Sequence, residues 1–175
     1  MKNLLFAFTL ICFCSALKAQ TMKKGDIEKR ITAIEDRIAI KNLVDTFSVL
    51  ADVKDIDKQV LLFTENATVE SVRDGQPSGN VLKGRRQIGD AFRNFLNLFE
   101  VVYHINGQQT IALAGNSASG ISYCQVTLIG NENGKKMKTT FGIYYHDEYV
   151  KQNGRWLISK RRSNFTWTDK RALEQ

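Results

Sequence analysis

A chain of 175 residues, 43% hydrophobic and 25% charged, has the size and balance of one globular domain with a single core and needs no second domain. Its formal charge of +7 raises nucleic acid as a partner. The late cations (Lys135, Lys136, Lys138, Lys151, Arg155, Lys160, Arg161, Arg162, Lys170 and Arg171) fall beside turns and at the chain end, not along one groove with stacking aromatics, which argues against that partner.

The first residues have the layout of a secretory signal peptide. Met1-Lys2 starts positive, Leu4 to Leu17 is apolar, and Leu17-Lys18-Ala19 ends on a small residue. The run is shorter than the roughly 20 residues of a membrane span. Cleavage is expected after Ala19, giving an exported protein, periplasmic or secreted, with no membrane anchor. Cleavage also removes Cys12 and Cys14, so Cys124 is left without a partner for an internal disulfide. A lone cysteine inside a strand is expected to pack as a small hydrophobe.

Residues 20–25 read as a flexible mature terminus and residues 26–168 as the domain, with a short tail over 169–175. From Asp26 a helical stripe runs through Ile27, Ile31, Ile34 and Ile38. The stripe then moves: Ile40, Leu43, Val44, Phe47 and Leu50 fall on nearly the opposite side at about 100° per residue. Either the helix breaks near Glu35-Asp36, with Thr32 and Glu35 capping a restart, or it is buried on two sides by different partners. The second option suits a homodimer in which the first turns pack on a neighbouring subunit.

Asp55 is a plausible N-cap for a second helix carrying Ile56, Val60 and Phe63. Ala67 to Val72 alternates as a strand, Gly75 to Gly79 with Pro77 turns it, and Val81-Leu82 returns as an edge strand. Gly84 opens a third helix with the stripe Ile88, Phe92, Phe95, Phe99. From Val101 to Trp167, four long apolar-alternating runs are separated by Gly115-Asn116, Asn131 to Gly134 and Asn153-Gly154, the punctuation of antiparallel hairpins. Helices followed by strands argue an α+β domain.

Leu62-Phe63-Thr64-Glu65-Asn66-Ala67, following a helix that ends near Asp52 and Asp55, resembles the corresponding segment of SnoaL-like proteins in the nuclear transport factor 2-like superfamily. Gly84 with Ile88, then His104, Ile111, Gly115 and Ala118, then Tyr145, Asp147, Gly154, Trp156, Ile158 and Arg161 follow the same pattern in order. The resemblance spans Ile27 to Trp167. It implies a cone-shaped α+β barrel, in which a curved antiparallel sheet wraps around about three N-terminal helices and leaves an internal cavity. Relatives include polyketide cyclases, scytalone dehydratase and ketosteroid isomerase beside non-catalytic members, so fold alone leaves function open. The resemblance also implies a homodimer.

Two residues are candidates for chemistry. Asp52 stands where related dehydratases and cyclases carry an acid toward the cavity; buried among Phe47 and Phe63, its proton affinity is expected to rise. The bland alternative is that it caps the next helix or faces water. His104 stands where dehydratase-like members place a histidine and is expected to act with Asp52 as base and orienting partner. A structural hydrogen bond within the sheet is the alternative.

Period-two alternation puts His104, Asn106, Gln108 and Thr110 on one side of the first long strand, unless a bulge near Ile111 and Leu113 exchanges the faces. Asn106, Gln108, Tyr123, Tyr145, Asp147 and Trp167 are the expected ligand-binding residues, although Gln108 stands where the family often has asparagine. His146 and Asp147 are neighbours in a strand and point apart, so no metal site is expected. No phosphate loop, nucleophile elbow or dinucleotide fingerprint appears, and no cofactor is expected. The second cavity histidine of scytalone dehydratase has no counterpart between Ala118 and Gly130. The reading is an exported protein that binds a small, largely apolar organic molecule, with cofactor-free acid/base lyase or isomerase chemistry by Asp52 and His104. The alternative is a binding or interaction module without chemistry.

Overall fold

The computed structural model describes residues 23–173. The expected leader and its cleavage site lie outside the described residues.

Helix α1 runs Lys24–Asp52 without a break, so Thr32 and Glu35 cap nothing. Its two stripes have different fates. Ile27, Ile31, Ile34 and Ile38 are exposed, whereas Ile40, Leu43, Val44, Phe47 and Ala51 are buried. Burial begins at Asp36, whose Oδ1 accepts from Lys151 Nζ at 2.7 Å and Trp156 Nε1 at 2.8 Å. The side chains of the earlier turns are mostly exposed.

A short helix α2 (Ile56–Gln59) follows, and the Asp55 carboxylate caps it by accepting from the Lys58 backbone N–H. A 3-10 turn over Val60–Leu62 then feeds strand β1 (Phe63–Arg73). Phe63, expected at the end of the second helix, therefore opens a strand. Asp74 and Gly75 both take positive φ, the two-residue turn that matches strand twist, and return the chain as β2 (Gln76–Pro77). The brief β3 (Leu82–Lys83) pairs with β1 and leads into α3 (Gly84–Leu96).

The long strands are β4 (Val101–Ala114), β5 (Ser117–Glu132), β6 (Lys135–Gln152) and β7 (Arg155–Ala172). Asn133-Gly134 and Asn153-Gly154 make the same positive-φ turns. β7 continues beyond Thr168 and pairs Ala172 with Met137, so most of the expected tail is strand.

The seven strands form one curved, open sheet in the order β2-β1-β7-β6-β5-β4, with β3 beside β1. Its long meander is antiparallel as expected, but β1 joins β7 in parallel, so the sheet is mixed and does not close. The parallel pair is a consequence of the connection: β1 is separated from β7 by α3 and five strands, not by a hairpin turn. Three helices pack on the concave face. Phe47, Phe63 and Phe92 meet edge to face at centroid distances of 5.9 to 6.2 Å and join helices to sheet.

Candidate functional site

A cavity of about 280 Å³ lies between the helices and the concave face of the sheet. Its walls are mainly aromatic and aliphatic, including Phe47, Phe92, Phe95, Phe141 and Phe165. The polar groups reaching it are few: Gln59, Ser71, Arg73, His104, Tyr145, Arg161 and Ser163. No aspartate or glutamate lines it.

Strand β4 ends the sheet, so backbone groups on its outer edge lack a strand partner. Helix α1 supplies replacements. The His104 backbone N–H donates to Asp52 Oδ2 at 3.3 Å, and the His104 ring Nδ1 lies 2.6 Å from Asp52 Oδ1. One carboxylate thus holds both ends of the same residue. The His104 side chain is 6% exposed and that of Asp52 23%, which places the imidazole inside and its carboxylate partner between it and solvent. With Nδ1 engaged as a donor, Nε2 is left as the free basic nitrogen of a cavity-lining ring.

Two residues further along β4, Asn106 is spent on structure. Its amide donates to Asp45 Oδ1 at 2.9 Å, and its carbonyl accepts from Ser48 Oγ at 3.0 Å. After Asn106 the pairing of β4 with β5 shifts at a bulge that ends at Gln109. The bulge exchanges the faces: Gln109 becomes half-buried and bonds Ser122 Oγ at 2.9 Å, while Gln108 is exposed and does not line the cavity.

Tyr123 and Trp167 also lie outside the cavity. Tyr123 pairs with Tyr144 on the outer face, rings 5.8 Å apart. Trp167 lies half exposed across Gly142, in space that any side chain at 142 would fill. The sheet alternation that points Ile143 and Tyr145 inward necessarily turns these outward.

Tyr145 does line the cavity, and burial pushes its hydroxyl far above the ordinary tyrosine range. Asp147 is fully buried but does not line it. Instead its carboxylate accepts from Arg161 Nε at 2.9 Å, from Arg161 Nη2 at 2.7 Å and from the Tyr149 hydroxyl at 2.9 Å. The guanidinium sits 4.2 Å from both the Phe47 and Tyr145 ring centroids. Burial works against its charge, but Asp147 outweighs it and holds Arg161 protonated above its ordinary range. Arg161 Nη1 is buried without a hydrogen-bond partner, and so is Gln59 Oε1. In the sequence Arg161 stands both among the late cations and in the family pattern, and neither gave it a role in the site. Its signal was the spacing: it alternates with exposed Lys160 and Arg162, at the inward position of a strand.

The described residues contain no group of three or more histidines, cysteines or acids that could hold a metal ion. No described helix is long and apolar enough to cross a membrane.

A curved sheet over three helices, with a histidine, its carboxylate partner and a buried arginine around an apolar hollow, defines a small-molecule-pocket protein of the nuclear transport factor 2-like fold. The SnoaL-like domain family matches residues 32–162, and the chain belongs to that family. Among solved structures it is similar to a provisionally assigned scytalone dehydratase from Novosphingobium aromaticivorans, with 18% identity over 83% of this chain and 93% of that one, at a TM-score of 0.70. A Kribbella flavida protein, Kfla4162, is 17% identical over 78% and 95% of the two chains, with a TM-score of 0.69. The hexachlorocyclohexane dehydrochlorinase LinA Type2 is 16% identical over 83% and 93%, with a TM-score of 0.68. At these identities the likeness shows the fold alone. No curated protein matches the chain in sequence.

Proposed function

We propose that this protein takes a small, largely apolar organic molecule into the cavity and removes a proton from one of its carbons, as a cofactor-independent lyase or isomerase. The observation carrying this reading is the 2.6 Å contact between Asp52 and His104 on the wall of an apolar cavity. Asp52 orients the ring and stabilises the imidazolium that forms, and Nε2 accepts the proton. Negative charge then develops on the substrate. Arg161 Nη1 offers a preorganised donor for it, held in place by Asp147 and two aromatic rings. The two similar structures named for a dehydratase and a dehydrochlorinase support the class, since both names describe eliminations.

Ring opening of 5-nitrobenzisoxazole tests the proposal without knowledge of the natural substrate. A base takes the ring C–H proton, the N–O bond breaks, and the single product carries both a nitrile and a phenolate. The native protein should accelerate it over free imidazole. His104→Ala should cost about 10²-fold or more, and Asp52→Asn a smaller share. Equal rates for native protein and His104→Ala would remove the catalytic role and leave a binding module.

Export and dimerisation belong to the same proposal. The leader pattern supports the first, and N-terminal sequencing of protein recovered outside the cytoplasm tests it. The exposed Ile27, Ile31, Ile34 and Ile38 support the second. Sedimentation of Ile31→Glu beside the native chain tests it, and an unchanged monomer in both would reject it.

A further inference from the structure

The cavity has a second polar locus that the proton-transfer reading does not use. Strands β1 and β7 run in parallel and in register, pairing Val69 with Arg161, Ser71 with Ser163 and Arg73 with Phe165. All six line the cavity. One wall therefore carries, in order along the strands, the buried Arg161 guanidinium, two serine hydroxyls side by side, and the Arg73 guanidinium. At about 3.3 Å per residue, Arg73 begins roughly 13 Å along the wall from the level of Arg161. Arg161 is buried at one end of this strip, and Arg73 is exposed at the other.

Arg73 is held but not neutralised. Its guanidinium lies 4.0 Å from the Phe165 ring centroid and 5.4 Å from that of Phe141, which fixes its plane at the cavity rim. No carboxylate among the described residues pairs with it, although its neighbour Arg162 is paired with Glu70 at 2.7 Å. The Ser71 and Ser163 hydroxyls likewise have no hydrogen-bond partner among the described residues, and Ser163 is 8% exposed. A guanidinium stacked on Phe165, on the same wall as two hydroxyls and in a cavity lined by no described acidic residue, suits a planar anion.

We infer that Arg73, Ser71 and Ser163 form a carboxylate subsite, and that the natural ligand is a hydrophobic monocarboxylate whose apolar body fills the phenylalanine-walled interior. The inference rests on the proposed function for which end reacts: the carboxylate docks at the rim and the reacting carbon reaches His104. The charged group stays near solvent, where its desolvation is small, and the guanidinium sets the depth of the rest.

Calorimetric titration with sodium 2-naphthoate and with methyl 2-naphthoate separates charge recognition from apolar filling. The full chain should bind the carboxylate at least tenfold more tightly than the ester, and added salt should narrow the gap. Arg73→Gln should abolish the preference, Arg73→Lys should keep part of it, and Ser71→Ala with Ser163→Ala should reduce it. Equal affinity for acid and ester, no measurable binding of naphthoate at millimolar concentration, or a preference that survives Arg73→Gln in a protein of native circular dichroism overturns the subsite. The same titrations on His104→Ala keep the two readings apart. His104→Ala should keep the preference and lose the turnover; native protein that shows the preference but no benzisoxazole turnover discards the chemistry and keeps the subsite, and native turnover without a preference does the reverse.

Discussion

Substituting Asp147 by Asn removes a full charge from a place where the structure provides no replacement. The Arg161 side chain is 1% exposed and the Asp147 side chain 0%. Two direct hydrogen bonds join them, and a guanidinium left without its counter-ion in such a place costs about 3–5 kcal/mol. The Phe47 and Tyr145 faces remain and return up to ~2 kcal/mol already present in the native protein, so they set no additional loss. For a domain of this size the expected fall in Tm is roughly 6–20 °C, at about 2–4 °C per kcal/mol. Arg161→Met alone should cost a similar amount, because Asp147 would keep only the Tyr149 hydroxyl. The double variant Arg161→Met with Asp147→Leu should recover most of the loss, since an apolar replacement of a buried ion pair is often neutral. Urea unfolding of the four proteins reads these values, and the double variant, though stable, should have lost benzisoxazole turnover. A loss below about 1 kcal/mol for Asp147→Asn, or a double variant no more stable than either single one, would refute the account of the pair as mutually dependent.

Two further outcomes follow from buried groups. Cys124 is 5% exposed, and burial pushes its thiol up to about 11. At pH 8 it should therefore resist iodoacetamide in the native protein and react rapidly in urea. Because the unfolded thiol ionises near 8.5, the folded state binds more protons between that value and about 11, so stability should fall as pH rises through this window and Cys124→Ala should flatten the fall. Asp36 shifts the other way. Burial alone would raise it, but hydrogen bonds from Lys151 and Trp156 and the lysine charge outweigh burial and lower it. Its contribution is present above the ordinary carboxylate value and is lost as pH falls toward the lowered one. Asp36→Asn should cost about 1–3 kcal/mol at pH 7 and progressively less below pH 4, measured by urea midpoints.

The meander was legible because each of its hairpins is written locally. Asn153-Gly154 can adopt the positive φ values that the turn demands, and Gln152 then faces Arg155 with no help from elsewhere. The continuity of α1 was not legible, because a change of stripe at Ile38 and Ile40 is what a break and a change of surroundings would both produce. What decides between them is the surroundings: Asp36 meets Lys151 and Trp156, while most described side chains before it are exposed. Val101 to Ile105 alternated as expected, and Ile111 and Leu113 pointed to a bulge that exchanges the faces, but its place before Gln109 was not written in any residue type beyond Gly107, so Gln108 was assigned to the inner face.

The site divides along the same line. Asp52 and His104 could be paired from the sequence because a family pattern already relates a helix end to a strand start. Arg161 belongs to the same pattern but its role could not be read from it, because its environment is made by residues from α1, β6 and β7 and a lysine-arginine run reads as solvated until strand alternation is applied to it. Arg73 is further out of reach: it joins the cavity only through the parallel pairing of β1 with β7, and a parallel pair has no turn to announce it. The residues found late are therefore not minor ones. The locally written meander supplies the wall and carries Arg161, the family pattern supplies the proposed base, and the parallel pairing of β1 with β7 brings in Arg73. The proposed recognition of a charged substrate thus rests on the part of this structure least visible in its sequence.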